Sequence, residues 1–264
     1  MEMIRLIIIL LTAFICSTVH AAEKPKDPAG IAEEFLPANS ELVKAEEPAD
    51  TKAILRYDFD KDGQDELVVT FNEKNGTDQL KAMVLKMESG QWKKVWEAAG
   101  EGFDIHYSGL TDIDGDGVKE YLLGWMIGAS AGNELEIFQW QNSTLHKLND
   151  SIPYHKLETI TQRKQTYLSV WQQFCCDAYT VEVLEWDGNK FAQDDKIYSM
   201  YYPKIKAFYE EKIAKMNAWY YWYALADAQV KANLLQEAGL SIEKGLEMDP
   251  GNRRLLELKE KLEK

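Results

Sequence analysis

The sequence predicts a mainly β chain with an all-α tail, on three observations. A hairpin pattern recurs three times through the first three quarters of the chain. Two acidic nine-residue loops occupy the same place in its first two copies. From Pro203 onward the apolar spacing changes to a helical period.

The hairpins define the repeat. Val84-Leu85-Lys86-Met87 leads through a Ser-Gly turn to Trp92, and Ile137-Phe138-Gln139-Trp140 leads through Asn142-Ser143 to Leu145. The third copy, Val183-Leu184-Glu185-Trp186, leads through Asp187-Gly188 to Phe191. In each, a large residue is followed five positions later by another with turn formers between them, as when two antiparallel strands face each other across a short loop. The copies lie 53 and 46 residues apart. A second strand pair precedes each hairpin: residues 54–58 with 66–71, 110–112 with 120–125, and 157–161 with 166–171. Each unit therefore holds four short antiparallel strands, the content of a propeller blade. Three such blade-like units are too few to close a usual propeller ring, so an open curved stack and a different all-β arrangement both fit the pattern.

The loops carry the chemistry. Asp58, Asp60, Asp62, Gly63 and Glu66 stand at positions 1, 3, 5, 6 and 9 of the first. Asp112, Asp114, Asp116, Gly117 and Glu120 hold the same positions of the second, 54 residues on. Calcium is a hard cation that takes six to eight oxygens, and carboxylates at positions 1, 3 and 5 of a tight turn converge on one point. Glycine at position 6 permits the sharp bend. The backbone carbonyl at position 7, Gln64 or Val118, supplies a further ligand, and the position-9 glutamate closes the shell. Without a cation, four carboxylates so close together repel strongly. Position 12 holds Val69 or Leu123 where an EF-hand has a bidentate glutamate, and strands rather than helices flank both loops. Two acidic surface turns without metal are the alternative, against which stands their shared register within a repeat.

This Asp-x-Asp-x-Asp-Gly-x-x-Glu-Leu type of loop, in a repeat of this length, resembles the FG-GAP or VCBS repeats of integrin-α-like propellers. The resemblance covers roughly residues 53–194. It implies that each loop joins two strands of a blade and holds calcium, two ions in all. The ligands it implies are Asp58, Asp60, Asp62, Gln64 and Glu66 in one loop, and Asp112, Asp114, Asp116, Val118 and Glu120 in the other. No Phe-Gly…Gly-Ala-Pro signature occurs, and the third copy lacks the ligands.

In the tail, Ile205, Phe208, Tyr209, Ile213 and Met216 share one helical face, with Pro203 suited to a first turn. Trp222, Leu225, Ala226, Ala238, Ile242, Gly245 and Pro250 are spaced so that they resemble one tetratricopeptide repeat, whose small residues let two antiparallel helices pack closely. An amphipathic end helix carries Leu255, Leu258 and Leu262. Within the aromatic run 219–223, Trp222 is expected in the core.

Compartment and charge bound the partners. Arg5 precedes an apolar run over residues 6–15, too short to span a bilayer, and Val19-His20-Ala21 before Ala22 fits a signal-peptidase site. Export is therefore expected, with a signal peptide over 1–21, a lead-in segment over 22–50, a β-repeat domain over 51–202 and a helical domain over 203–264. Cys16 offers a lipid-anchoring alternative, but Ala13, Phe14 and Ile15 precede it where small residues are wanted. The chain carries −14, and because residues 203–264 hold 11 basic and 10 acidic groups, residues 22–202 carry −15. That charge argues against nucleic acid and anionic lipid and suits divalent cations. No later stretch is apolar enough to span a membrane, which leaves a protein or cell-surface partner. Cys175 and Cys176 are the only cysteines after the leader, so no disulfide framework or four-ligand zinc site is expected. One thiol should be buried and its neighbour exposed, with a vicinal or intermolecular disulfide as the alternative. Asn75, Asn142 and Asn149 open glycan acceptor triplets relevant only in a eukaryotic secretory path.

Gly128-Ala129-Ser130-Ala131-Gly132 spells a nucleophile elbow, yet that chemistry needs a helix after the serine and the following residues alternate like a strand. The sequence thus reads as an exported, calcium-binding interaction or scaffold module of the cell envelope or exterior. The alternative is a secreted hydrolase of glycans or esters with structural calcium.

Overall fold

In a computed structural model, residues 27–74, 79–148 and 150–263 are described. The expected leader, with Cys16 and the cleavage site at Ala22, and the acceptor residues Asn75 and Asn149 lie outside them.

A short helix, α1 (Pro28–Glu33), opens the described chain. The first sheet comprises β1 (Ser40–Leu42), β2 (Ile54–Tyr57), β3 (Glu66–Glu73), β4 (Leu80–Glu88) and β5 (Gln91–Gly100). β1 and β2 lie end to end along one edge of β3, and β4 and β5 follow in order on its other side. The second sheet is β6 (Asp104–Thr111), β7 (Glu120–Gly128), β8 (Gly132–Gln141), β9 (Thr144–Lys147) and β10 (Ile152–Tyr154), with β9 and β10 sharing the far edge of β8. The third is the plain meander β11 (Lys156–Gln162), β12 (Gln165–Cys175), β13 (Ala178–Trp186) and β14 (Phe191–Gln193). All strand pairs within the sheets are antiparallel. The three expected four-strand units are thus three separate sheets, each with its hairpin where the repeat places it. The strand expected over 110–112 starts earlier, at Asp104.

Alternation along the central strands explains how the sheets associate. On β3, Val68 faces a cluster shared with Tyr121, Leu123 and Phe138 of the second sheet, while Leu67, Val69 and Phe71 face away from it. On the second sheet, Leu122, Leu135 and Ile137 face a cluster shared with Leu168, Val170 and Trp186 of the third. Because successive side chains point to opposite faces, β3, β7 and β12 are apolar on both sides and read as continuous buried runs. The sheets therefore stack face to face in sequence order.

Helices cover both ends of that stack. Ile31 and Ala32 of α1 lie on Leu67, Phe71 and Met83 at the first sheet's outer face. At the other end, α2 (Asp195–Lys215) and α3 (Trp219–Lys231) cover Tyr167, Trp171, Val181 and Val183 of the third sheet. The outer faces that a propeller would pair with further blades are buried by helices, and no closed propeller forms. α4 (Leu235–Met248) and α5 (Arg253–Leu262) complete the tail, with Ala226, Ile242, Leu255 and Leu258 as their shared core. Gly245 lets α5 approach: a Cβ there would stand 2.7 Å from a Leu255 methyl.

Two local expectations are corrected. Pro203 lies inside α2, which starts at Asp195. Asp194 caps that start by accepting from the Ile197 amide at 2.5 Å, and Ile197, Tyr198, Tyr201 and Tyr202 are buried. Burial of this aromatic turn against the third sheet outweighs the backbone hydrogen bond that proline withholds from Ser199. In α3 the core residue is Tyr221 rather than Trp222: Tyr221 is buried with its hydroxyl on Asp177, whereas Trp222 is half-buried and donates to Asn217 at 2.7 Å. Among the described residues, no helix is long and apolar enough to cross a membrane.

Candidate metal centre

Each acidic loop joins the first two main strands of its sheet, loop 1 between β2 and β3 and loop 2 between β6 and β7. The two are built alike. The residue at position 2 is an apolar plug: Phe59 is buried and stacks on Trp140 at 5.1 Å, and Ile113 is buried in the cluster shared with the third sheet. Each plug pins its loop to the next sheet. At position 6, Gly63 and Gly117 have φ of +88° and +86°, with open space where a Cβ would go, so the backbone conformation alone calls for glycine. Position 1 braces the turn: Asp58 accepts from the amides of Asp62 (3.0 Å) and Gly63 (2.9 Å), and Asp112 from those of Gly115 (2.7 Å) and Gly117 (3.0 Å). The position-9 glutamates, Glu66 and Glu120, are buried and accept from the position-2 amides at 2.9 and 2.7 Å. Gln64 and Val118, at position 7, donate their amides to Asp62 and Asp116 at 2.8 and 2.6 Å.

The structure brings most of the expected ligands together. Carboxylate oxygens of Asp58, Asp60 and Asp62 lie within 4.8 Å of one another, as do those of Asp112, Asp114 and Glu120. The groupings differ: Glu66 stands outside the first, and Asp116 outside the second.

A residue that the motif does not contain accounts for Glu66. Lys86 on β4 extends its ammonium into loop 1, donating to Asp60 at 2.6 Å, Glu66 at 2.7 Å and Asp62 at 3.2 Å. Its side chain is only 9% exposed, which lysine tolerates only when paired. Burial alone pushes the ammonium down, but the three carboxylates outweigh it and hold its pKa well above the usual lysine range. Burial likewise raises the Glu66 carboxyl, while Lys86 and the Phe59 amide pull it back. The Gln64 amide first, then Lys86, hold Asp62 below its usual range.

Among the described residues, no ammonium or guanidinium is ion-paired to the motif carboxylates of loop 2. In the repeat alignment, Gln139 on β8 takes the place of Lys86, and its amide donates to Asp114 at 3.0 Å. Four carboxylates thus meet a neutral neighbour. One oxygen of Glu120, Oε1, is buried without a hydrogen-bond partner. Burial, opposed by the Ile113 amide and reinforced by Asp114 and Asp116, pushes the Glu120 carboxyl up to about 8. Burial and the carboxylates of Asp116 and Asp112 also raise Asp114. Asp114 and Gly115 line an open cleft of about 570 Å³ with Arg163, Lys164 and Lys196, giving a solvent path to the loop. On the other side Tyr57 accepts from the Lys119 amide at 3.0 Å and ties loop 2 to the first sheet.

The donor set of loop 2 fits a hard divalent cation: all oxygen, largely anionic, with a buried carboxylate oxygen lacking a partner. Loop 1 fits less well, because an ammonium already satisfies three of its four motif carboxylates, Asp60, Asp62 and Glu66.

The other residues singled out by sequence do not assemble a catalytic group. Ser130 is an exposed turn residue between β7 and β8, with no helix after it. His146 is exposed on β9, and His155 accepts from the Gln173 amide at 3.2 Å. Cys176 is exposed and Cys175 partly so, both free, with sulfurs 3.3 Å apart at the tip of the β12–β13 hairpin. No known family's sequence model matches the chain, and no curated protein matches it.

Proposed function

We propose that the chain is an exported calcium-binding protein in which an FG-GAP/VCBS-like β stack and a tetratricopeptide-like tail form an interaction or scaffold module of the cell envelope or exterior. The observation that carries the calcium reading is Glu120, whose buried Oε1 has no hydrogen-bond partner beside Asp112 and Asp114. Burying a carboxylate oxygen without a partner costs free energy that coordination to a cation offsets. Bound calcium would hold loop 2 against the third sheet through Ile113 and so brace the stack rather than perform chemistry. The interaction role is supported by the helical tail, where Ile213, Trp222, Leu225 and Leu240 line a largely apolar groove and Leu240 is 65% exposed. The exposed, strand-flanked setting of Ser130 does not favour the hydrolase alternative.

Thermal unfolding with and without calcium tests this reading. Extracellular modules with such loops bind at roughly 0.1–1 mM, so millimolar calcium should stabilise by about 1 kcal/mol, or about 2–4 °C in Tm. Magnesium should substitute poorly, since it demands a tighter octahedron and keeps its water. A Tm indifferent to calcium and chelator overturns the reading.

A further inference from the structure

We propose that Lys86 is the resident cation of loop 1, so that the chain takes one calcium ion, in loop 2, and loop 1 is a metal loop closed by its own ammonium. The inference rests on the calcium reading of loop 2 for its count, but its argument about loop 1 stands on separate observations. The loops match at positions 1, 3, 5, 6 and 9, and both position-9 glutamates are buried against their position-2 amides. They differ at one register position on the neighbouring strand. β4 pairs Leu85 with Leu67, and β8 pairs Phe138 with Tyr121. Continued by one residue, that register sets Lys86 opposite Glu66, to which it donates, and Gln139 opposite Glu120, although the Gln139 amide donates to Asp114 instead.

The ammonium takes three of the four carboxylates an ion would use, leaving Asp58 aside. Its three carboxylate partners stand at positions 3, 5 and 9 of the loop, at 2.6, 3.2 and 2.7 Å. An N–H donor sits slightly farther from oxygen than calcium does, at 2.7–3.2 Å against 2.3–2.6 Å. Both loops hold four carboxylates at positions 1, 3, 5 and 9; these four together with Lys86 sum to −3 in loop 1, whereas with Gln139 the four of loop 2 remain at −4. Calcium entering loop 1 would have to displace a buried ammonium from three hydrogen bonds or share the site with a like charge. Loop 2 presents neither obstacle. A fixed cation also makes loop 1 independent of ambient calcium, so the first sheet would stay braced when loop 2 empties.

The test counts calcium ions bound to the full chain, by native mass spectrometry and by calorimetric titration, in wild type, Lys86→Gln and Gln139→Lys. Lys86→Gln gives loop 1 the residue of loop 2, and Gln139→Lys does the reverse. The expected counts are one, two and none, and Lys86→Gln with Asp114→Ala should return to one. Two ions in wild type overturn the inference, and so does a Lys86→Gln count no higher than wild type. Should wild type bind none and Lys86→Gln bind one, the assignment of Lys86 stands and the calcium reading of loop 2 falls. If Lys86→Gln does not fold without calcium, refolding in millimolar calcium with a gain of one ion supports the inference. Failure to fold in either condition passes the decision to Gln139→Lys, where loss of the wild-type ion supports it and retention overturns it.

Discussion

Loop 1 and loop 2 share a nine-residue pattern, a glycine-turned backbone and an apolar plug into the next sheet, yet they neutralise their carboxylates differently. Loop 1 does it with an ammonium of its own chain, delivered by β4 and ion-paired to the carboxylates. Loop 2 faces a neutral amide and leaves a buried glutamate oxygen unpartnered. The motif therefore specifies a shape, a ring of inward oxygens, and not the charge that fills it. That charge is decided by one residue on the adjacent strand, about twenty positions downstream of each loop. The third copy extends the contrast: the corresponding residue is Glu185, the acidic loop is gone, and a short turn at Arg163 and Lys164 replaces it.

The largest expected difference between the loops is in stability without calcium. Lys86→Ala leaves the buried Glu66 without its cation, and breaking a buried ion pair from one side costs about 3–5 kcal/mol. Gln139→Ala removes a single hydrogen bond to Asp114 and should cost about 1 kcal/mol or less. Urea unfolding in chelator measures both, and equal losses would dissolve the distinction between the loops.

The plugs sharpen the comparison at the sheet interfaces. Phe59→Ala should cost about 3–5 kcal/mol and Ile113→Ala about 2–5 kcal/mol, since each leaves a cavity between two sheets. Only Ile113→Ala should also weaken the response to calcium, because only loop 2 is expected to use it. Calcium-dependent melting of both variants checks this.

Smaller still is the pH response of the calcium-free protein. Burial raises Glu120 in the folded state to about 8, above the usual carboxylate range. The folded state therefore holds a proton that the unfolded chain has lost. The contribution is fully present below the unfolded value and disappears as pH rises through about 8, so stability in chelator should decline across that window. The carboxylates of Asp114 and Asp116 push Glu120 in the same direction. Glu120→Gln should flatten the slope between those pH values when unfolding is followed in chelator. The smallest effect expected is Ser130→Ala, below about 0.5 kcal/mol for an exposed turn residue.

Much of this was legible in the sequence because it follows from short-range rules. Hairpin spacing set the three sheets, loop composition picked out both acidic clusters, and the change of period marked a helical tail. What escaped depends on side-chain partners across the fold. Lys86, Gln139 and Glu185 hold the same position of the three hairpins, and the change of charge among them was the available signal. It becomes meaningful only once β4 lies next to β3. The choice between an open stack and another all-β arrangement escaped for a similar reason: apolar runs on the central strands do not say what covers the outermost faces. Pro203 misled because proline at a helix start is the common case, whereas here the aromatic turn from Ile197 to Tyr202 buries enough surface to carry the helix through it.

The most direct test is a crystal structure grown in millimolar calcium, with anomalous scattering used to locate the ion. The account predicts one peak, within about 2.3–2.6 Å of oxygens from Asp112, Asp114 and Glu120, and the Lys86 ammonium still seated among Asp60, Asp62 and Glu66. A peak in loop 1 with Lys86 turned out to solvent, or no peak in either loop, would contradict it.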